Sequence, residues 1–499
     1  MRGIRSVGFQ YNAGASIETI VVVCAVVCCS LEAAERNPDG EHRFAPTETE
    51  RGVIDHISNG QEANLCPADC RPEKLTKHIG ATFLEQALIG VIKFNMPGKP
   101  ISITGAIIDG PIDLRGLEIN SDVVLEHCRF EDKIDLAGSH FHKALRLNQS
   151  TFNGMLVLDD ARIEGPFEAK GAHFINGAYF KEIRCNSGVS FKPVREPPTE
   201  NDQRTRFDDE VCLDDARIEL NFEAQFAQFK AATEISGAKF ASNLLLDDAT
   251  FSGSVWFDGS SVFNNFSVER ITVTGSVQMR SASFGVLNVS GMRWPTSADK
   301  INISGMTYGQ VYAGKQDVDT WHYLKSRFAS FPYSVDNYEH LAEFFLKQGR
   351  PELADDVFIE QKAQERKQVF WRGIVSPESA MSQIESAIRW TWSWVLDVLV
   401  GYGRHPWQAI GPCAIVIFIG CKVFRREVME PQKPMDSSRG YSPFWYSLNL
   451  FLPVVDLQSK GVWKPKQEFT FARNYLRVHV LLGWILVPII VAALSGIIK

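Results

Sequence analysis

From Gly105 onward the chain alternates apolar and polar residues in a cycle of eleven. Cut every eleven residues, it reads GAIIDGPIDLR, GLEINSDVVLE, HCRFEDKIDLA, GSHFHKALRLN and so on, to RITVTGSVQMR at 270–280. One of the sixteen units is off pattern, PVREPPTENDQ at 193–203, and the frame resumes after it without slipping. The fourth position is apolar in fifteen units, the tenth in fifteen and the eighth in fourteen, failing at Thr233 and Glu200. Position two is usually small, as at Ala161, Ala172, Ala216, Ala238 and Ala249. Inward pairs at 2/4 and 8/10 have the period-two alternation of short strands, and Gly, Asn and Ser near position six are turn formers. That spacing excludes helices.

A short repeat that cannot bury its own apolar face must stack on its neighbours. If four short sides close one coil, two units make a 22-residue rung. The repeat then predicts about eight rungs, on the order of 40 Å long at about 4.8 Å per strand. Small-x-large steps such as GAHFI, GAKFA and DATFS resemble the pentapeptide-repeat proteins. That resemblance covers about two-fifths of the chain and implies a mainly β fold, a right-handed quadrilateral β-helix. The chain departs from the family by one extra residue per pair of five-residue steps. The family's members bind varied partners, so the resemblance implies a shape and no single activity.

The apolar pattern changes outside the repeat. In PEKLTKHIGATFLEQALIGV (72–91), Leu75, Ile79, Phe83, Leu84 and Leu88 lie at helical spacing and predict a helix covering the open strand edges at one end. Downstream, helical periodicity begins near Val318, and 337–367 reads as a helical hairpin turning at Gly349 and Pro351. It is similar to a single tetratricopeptide unit, and one unit alone predicts a structural cap. Two stretches are long and apolar enough to be transmembrane helices, 407–424 and 478–498. Before them, 386–406 carries Trp390, Trp392 and Trp394 and predicts a helix lying in the membrane interface. The N-terminal run TIVVVCAVVCCSL (19–31) behind Arg2 and Arg5 predicts a signal peptide or signal anchor over 1–34. The remaining divisions are an N-terminal segment at 35–104, the β-helix at 105–314, the hairpin cap at 315–385, and a basic loop with a re-entrant or interfacial helix at 425–477.

Charge fixes an expected orientation. The stretch 425–475 carries Arg425, Arg426, Lys433, Arg439, Lys460, Lys464, Lys466 and Arg473, whereas the tail beyond the last span has only Lys499. The positive-inside rule makes that loop cytoplasmic and sends the β-helix to the far side, as an export signal would. A bacterial inner-membrane protein with a periplasmic rod is therefore expected. The formal net charge of −7 is mild for 499 residues. From 105 to 300 there are 29 acidic and 20 basic residues, too few unbalanced acids for a DNA mimic, and no nucleic-acid partner is expected.

Candidate chemistry is sparse. There is no dinucleotide fingerprint, no P-loop and no Ser-centred elbow, so neither a catalytic centre nor a cofactor is expected. LDDA recurs at 158–161, 213–216 and 246–249; acids at solvated turns explain it, with Asp159 and Asp247, eight units apart, expected on one side. His140 and His142 flank inward Phe141 and point out together, a geometry that could grip a metal. No third ligand is evident nearby in the sequence, so no metal is expected. Cys66 and Cys70 could close a small disulfide loop in an exported domain, and Cys185 takes the Phe column as a small buried hydrophobe. The off-pattern unit, with Arg195, Glu196, Pro197, Pro198, Glu200, Asn201 and Asp202, predicts a protruding loop that a protein partner could grip.

The expected protein is thus a membrane-anchored, non-enzymatic scaffold whose partners are the lipid bilayer and an unidentified protein. A second reading takes the two spans around YSPFWYSLNLFLPVVDL (441–457) as the two-helix pore module of cation channels, regulated by the β-helix. LPVVDL stands where a selectivity filter would be, and this reading needs the opposite orientation. An enzyme would require a cleft where the hairpin meets the last rungs, near Trp294, Tyr308 and Tyr312.

Overall fold

The computed structural model describes residues 45–66, 70–95, 98–198, 204–297, 300–313, 317–328, 332–375, 379–432, 440–452 and 462–495. The N-terminal apolar run, Glu200, Asn201, Asp202 and most of LPVVDL lie outside these residues.

The eleven-residue cycle folds as a parallel β-solenoid with four sides. One circuit runs through His140–Phe141, Leu145–Arg146, Thr151–Phe152 and Leu156–Val157, here the first to fourth faces. Within the regular frame the two-residue strands pair with the strand 22 residues away, as His140 with Arg162 and Thr151 with Arg129. The third and fourth faces each stack nine strands, one turn more than the repeat count predicts. The extra strands come from beyond the regular frame, at His78–Gly80 and Ile301–Asn302. Strand Ser261–Ser267 runs through a corner and pairs with both Lys239–Phe240 and Leu244–Leu245, joining the first and second faces.

Positions 2, 4, 8 and 10 face inward: Ser150, Phe152, Leu156 and Leu158 are all buried. On the third face six rings form one stack, Phe130, Phe152, Phe174, Phe207, Phe229 and Phe251, with centroids 4.6–5.0 Å apart and planes within 6° of parallel. That spacing is the strand separation itself, so backbone pairing sets the ring geometry.

The chain bends near position six, as the turn formers there predict, and turns a second corner at position one. The left-handed turn falls at position one of the unit, at Gly116, His127, Gly138, Gln149, Asp160, Gly171 and Glu182, each at φ between 52° and 66°. This residue is the one in excess of two five-residue steps. Glycine at position six does a different job: a Cβ on Gly154 would lie 2.2 Å from the carbonyl carbon of Asp132, and one on Gly253 would lie 2.0 Å from Ala231 O. These corners need absence of a side chain because the rung below is too close.

The off-pattern unit leaves the coil altogether. Phe174 pairs with Phe207, 33 residues on and not 22, so one unit loops out between the second and third faces. Asp247 consequently lies beyond a second-face strand and Asp159 beyond a fourth-face strand. They stand at opposite corners, which corrects the expectation that they share a side.

Both ends are covered. The helix expected over 72–91 is shorter, α2 (Ala81–Leu88), because His78–Gly80 instead adds a strand to the third face. Leu75, Ile79, Phe83, Leu84 and Leu88 are nevertheless all buried on the first rungs. Before it, α1 (Glu48–Ser58) starts with a capping box at Thr47, and its Glu50 Oε1 accepts from the Gly80 amide at 3.0 Å. At the other end α3 (Asp317–Phe328) precedes the hairpin of α4 (Val335–Lys347) and α5 (Pro351–Val369), which turns at Gly349 with φ of 71°.

Among the described residues four further α-helices follow. They are α6 (Ala380–Val400), which begins six residues before the interfacial stretch read from the sequence, α7 (Ile410–Val423), α8 (Pro443–Phe451) and α9 (Thr470–Leu494). Two helical stretches, Pro406–Val423 and Thr470–Leu494, are long and apolar enough to cross a membrane. Their large apolar residues face outward: Trp407, Ile410, Ile415 and Phe418 on one, Val478, Leu481, Trp484 and Val491 on the other are all exposed. In α6 the exposed Met381, Ile384, Ile388 and Trp392 form a stripe at helical spacing.

Candidate functional site

Where the hairpin meets the last rungs, the described side chains pack into a seam continuous with the solenoid core. Tyr308 is buried edge-on against His340 and Phe344, with centroids 4.7 and 5.9 Å away. His340 Nε2 sits 2.9 Å from both the amide N and the carbonyl O of Tyr308, pinning helix to rung. Trp294 Nε1 donates to Tyr323 at 2.9 Å, and Trp321, Leu341 and Phe345 continue the core of the solenoid. Tyr312 stands outside, half exposed.

The expelled unit departs at a sealed point. Phe191, at its root, contacts Phe167, Phe174, Phe180, Phe207 and Phe222. On the return side Thr205 is fully buried, and its Oγ1 accepts from the Gly171 amide at 2.9 Å. Val194, Arg195, Glu196 and Pro197 are exposed. Lys192 stands between Glu223 at 3.1 Å and Glu196 at 3.4 Å, tying the start of the loop to the coil.

The LDDA carboxylates have structural work. Asp159, Asp214 and Asp247 each accept from the backbone amide one rung on, at Lys181, Ser236 and Glu269, at 2.8–2.9 Å. The next residues, Asp160, Asp215 and Asp248, occupy the left-handed corner, a conformation Asp tolerates better than most.

The first face differs from the others. Its outward column reads Glu118, His140, Arg162, Arg184, Arg217 and Lys239, one residue per rung. Arg184 pairs with Asp160 at 3.5 Å; among the described residues Arg162, Arg217 and Lys239 form no ion pair. The cationic end opens into a groove bounded by Ser261, Phe263 and Gly285. Phe263 is 78 % exposed, the most exposed large apolar side chain of the described residues. Strand alternation after inward Val262 turns it outward, and the register shifts between Val262 and Asn265.

At the other end of the column the structure supplies ligands that linear reading missed. Glu118 pairs in register with His140, and Glu164 follows the strand one rung further on. His142 Nε2 lies 3.6 Å from Glu118 Oε2, and His140 Nε2 lies 3.1 Å from Glu164 Oε1. The His140 ring and the Asn186 amide hold the Glu164 carboxyl below its ordinary range. The signal was available as an offset: 118 is 140 minus 22, and 164 is 142 plus 22. A second grouping, Cys212, Asp214 and Glu234, lies elsewhere on the coil. Burial pushes the Cys212 thiol up to about 11, so it stays protonated and is a poor ligand.

Cys66 and Cys70 lie close together, with Cys70 Sγ donating to Cys66 O at 2.6 Å. Cys185 is buried in the inward column, where burial raises its thiol to about 12 and makes it inert.

The membrane end is fastened to the rod by charge. Arg366 of α5 reaches Asp397 of α6 at 2.7 Å, and Arg404 reaches Asp355 at 2.9 Å while stacking on Phe358 at 4.7 Å. GYGR (401–404) is therefore a turn, with Gly401 and Tyr402 both left-handed and the Tyr402 hydroxyl accepting from Arg366 at 2.9 Å. Between the two long helices, α8 is wedged where Gly420 and Gly483 lack side chains. A Cβ there would lie 2.2 Å from Ser447 Oγ and 2.1 Å from Phe451 O respectively. Ser447 donates to Ile417 O at 2.9 Å, and buried His479 places Nε2 3.0 Å from Ser447 O.

No protein-family model, no curated protein and no solved structure matches this chain.

Proposed function

We propose that the protein is a membrane-anchored, non-enzymatic scaffold of the bacterial envelope, a divergent relative of the pentapeptide-repeat proteins whose solenoid stands in the periplasm. The filled seam between hairpin and rungs carries this reading: with Tyr308 buried against His340 and Phe344, the rod's outer surface is what remains to meet a partner. Two places on that surface suit the task, the expelled loop at 193–203 and the first-face column ending beside Phe263. The unpaired cations there favour an acidic protein partner. The ion pairs at Arg366 and Arg404 hold the rod in a set relation to the bilayer.

The test is topology together with capture. Alkaline phosphatase fused after Gly314 is expected to be active, and a fluorescent protein that matures only in the cytoplasm, fused at the same point, is expected to stay dark. Deleting 193–203 is expected to leave folding intact and abolish partner capture; undiminished capture would remove the loop from the site. The wedge of α8 between two spans supports a second reading, a pore-like module with a cytoplasmic regulatory rod. Fluorescence without phosphatase activity would favour it.

A further inference from the structure

The first face gathers four metal-type donors over three consecutive rungs. His140 and His142 leave the strand on the same side with ring centroids 4.0 Å apart. The ligand atoms of Glu118, His140 and His142 all lie within 4.8 Å of one another. A tetrahedral ion with bonds of about 2.0–2.1 Å needs its donors about 3.3 Å apart. Rotation of the Glu118 and His142 side chains, 69 % and 38 % exposed, supplies that closure without moving the backbone.

We infer that Glu118, His140 and His142 bind a first-row divalent cation of the zinc type, with Glu164 as the positioning residue that orients the His140 ring. Two imidazoles and one carboxylate suit zinc and its neighbours, whereas magnesium and calcium call for oxygen donors throughout. A carboxylate hydrogen-bonded to a ligating histidine is the usual outer-shell device for fixing ring orientation, and Glu164 stands 3.1 Å from His140 Nε2. Stability alone does not explain the cluster, because exposed His–carboxylate pairs contribute little. The rigid ladder fixes the α-carbons of all three ligands, so the ion joins rungs that are already paired. Three protein ligands leave a fourth position open to water or to a donor on another molecule. The inference is independent of the scaffold reading and of orientation in the membrane.

The full-length protein in detergent, titrated with cobalt chloride, is expected to take up one Co2+ per chain with the visible absorption of a four-coordinate nitrogen and oxygen site, displaced by zinc. The H140A/H142A double variant is expected to lose that absorption, and E118Q to weaken it. Glu164→Gln should keep one ion per chain but lower affinity by roughly ten- to a hundredfold. All four side chains point outward, and unchanged circular dichroism and melting would verify that each variant folds. Absorption that persists in the double variant, or that carries a thiolate charge-transfer band abolished by C212S, would overturn the assignment, as would the absence of saturable binding in the parent.

Discussion

The solenoid and the C-terminal helical module point their apolar residues in opposite directions. Phe174 is fully buried, a ring stacked on both faces, whereas Phe418 of α7 is 62 % exposed with Lys422 5.3 Å from its ring centre. The rod hides its apolar groups by position within a short period. The C-terminal module leaves them uncovered by the rest of the chain, as in the two helices long and apolar enough to cross a membrane. A phenylalanine therefore stabilises the fold itself in one region and presents an apolar surface in the other.

The sharpest way to break that contrast is the same substitution on both sides. Phe174→Ala should cost about 3–5 kcal/mol in chemical denaturation, and Phe418→Ala no more than about 0.5 kcal/mol in detergent. Equal losses would mean that the module has a packed core of its own around Phe418. Next in size, Leu481→Lys places a charge on the outward side of α9, adding about 3 kcal/mol to insertion. Fractionation should show the variant depleted from membranes, and full retention would argue against α9 as a span. Glycines give a finer comparison. Gly253→Ala meets the carbonyl of Ala231 and should destabilise by about 1–3 kcal/mol, while Gly411→Ala, with open space around it, should be neutral in a thermal melt. Smallest of all, Glu182→Gly relieves a left-handed corner and should raise stability by up to about 1 kcal/mol.

Where the pattern was strong, the fold was legible. The inward columns at Phe152, Leu156 and Leu158 follow from alternation alone, and the hairpin turn at Gly349 from glycine two residues before Pro351. Corners are half legible: turn formers near position six mark one bend, but the left-handed corner is at position one, where Gln149 and Glu182 give no compositional sign. The capping segment was blurred because Leu75 and Ile79 keep helical spacing while lying in a loop and a strand. Glu118 and Glu164 were invisible beside His140 and His142 until the 22-residue offset was used, since contacts between rungs are remote in sequence and adjacent in space. The ion pairs of Arg366 and Arg404 had no signature, because helix partners are set by packing and not by period.

The expelled unit also bears on how such a rod can lengthen. One unit is half a circuit, so gaining or losing a single unit within the coil would exchange the first and second faces for the third and fourth in everything downstream. Arg217 and Lys239 would then part from Arg162, and the ring stack would end at Phe174. Growth by duplication is thus restricted to even steps, unless the odd one is pushed outside. DARIEGPFEAK and DARIELNFEAQ begin 55 residues apart, an odd five units, yet Arg162 and Arg217 share a face because one of the five lies outside the coil. The loop at 193–203 marks where an odd inheritance was reconciled with an even architecture, and the same junction should accept a foreign segment of any length without disturbing the order of the faces.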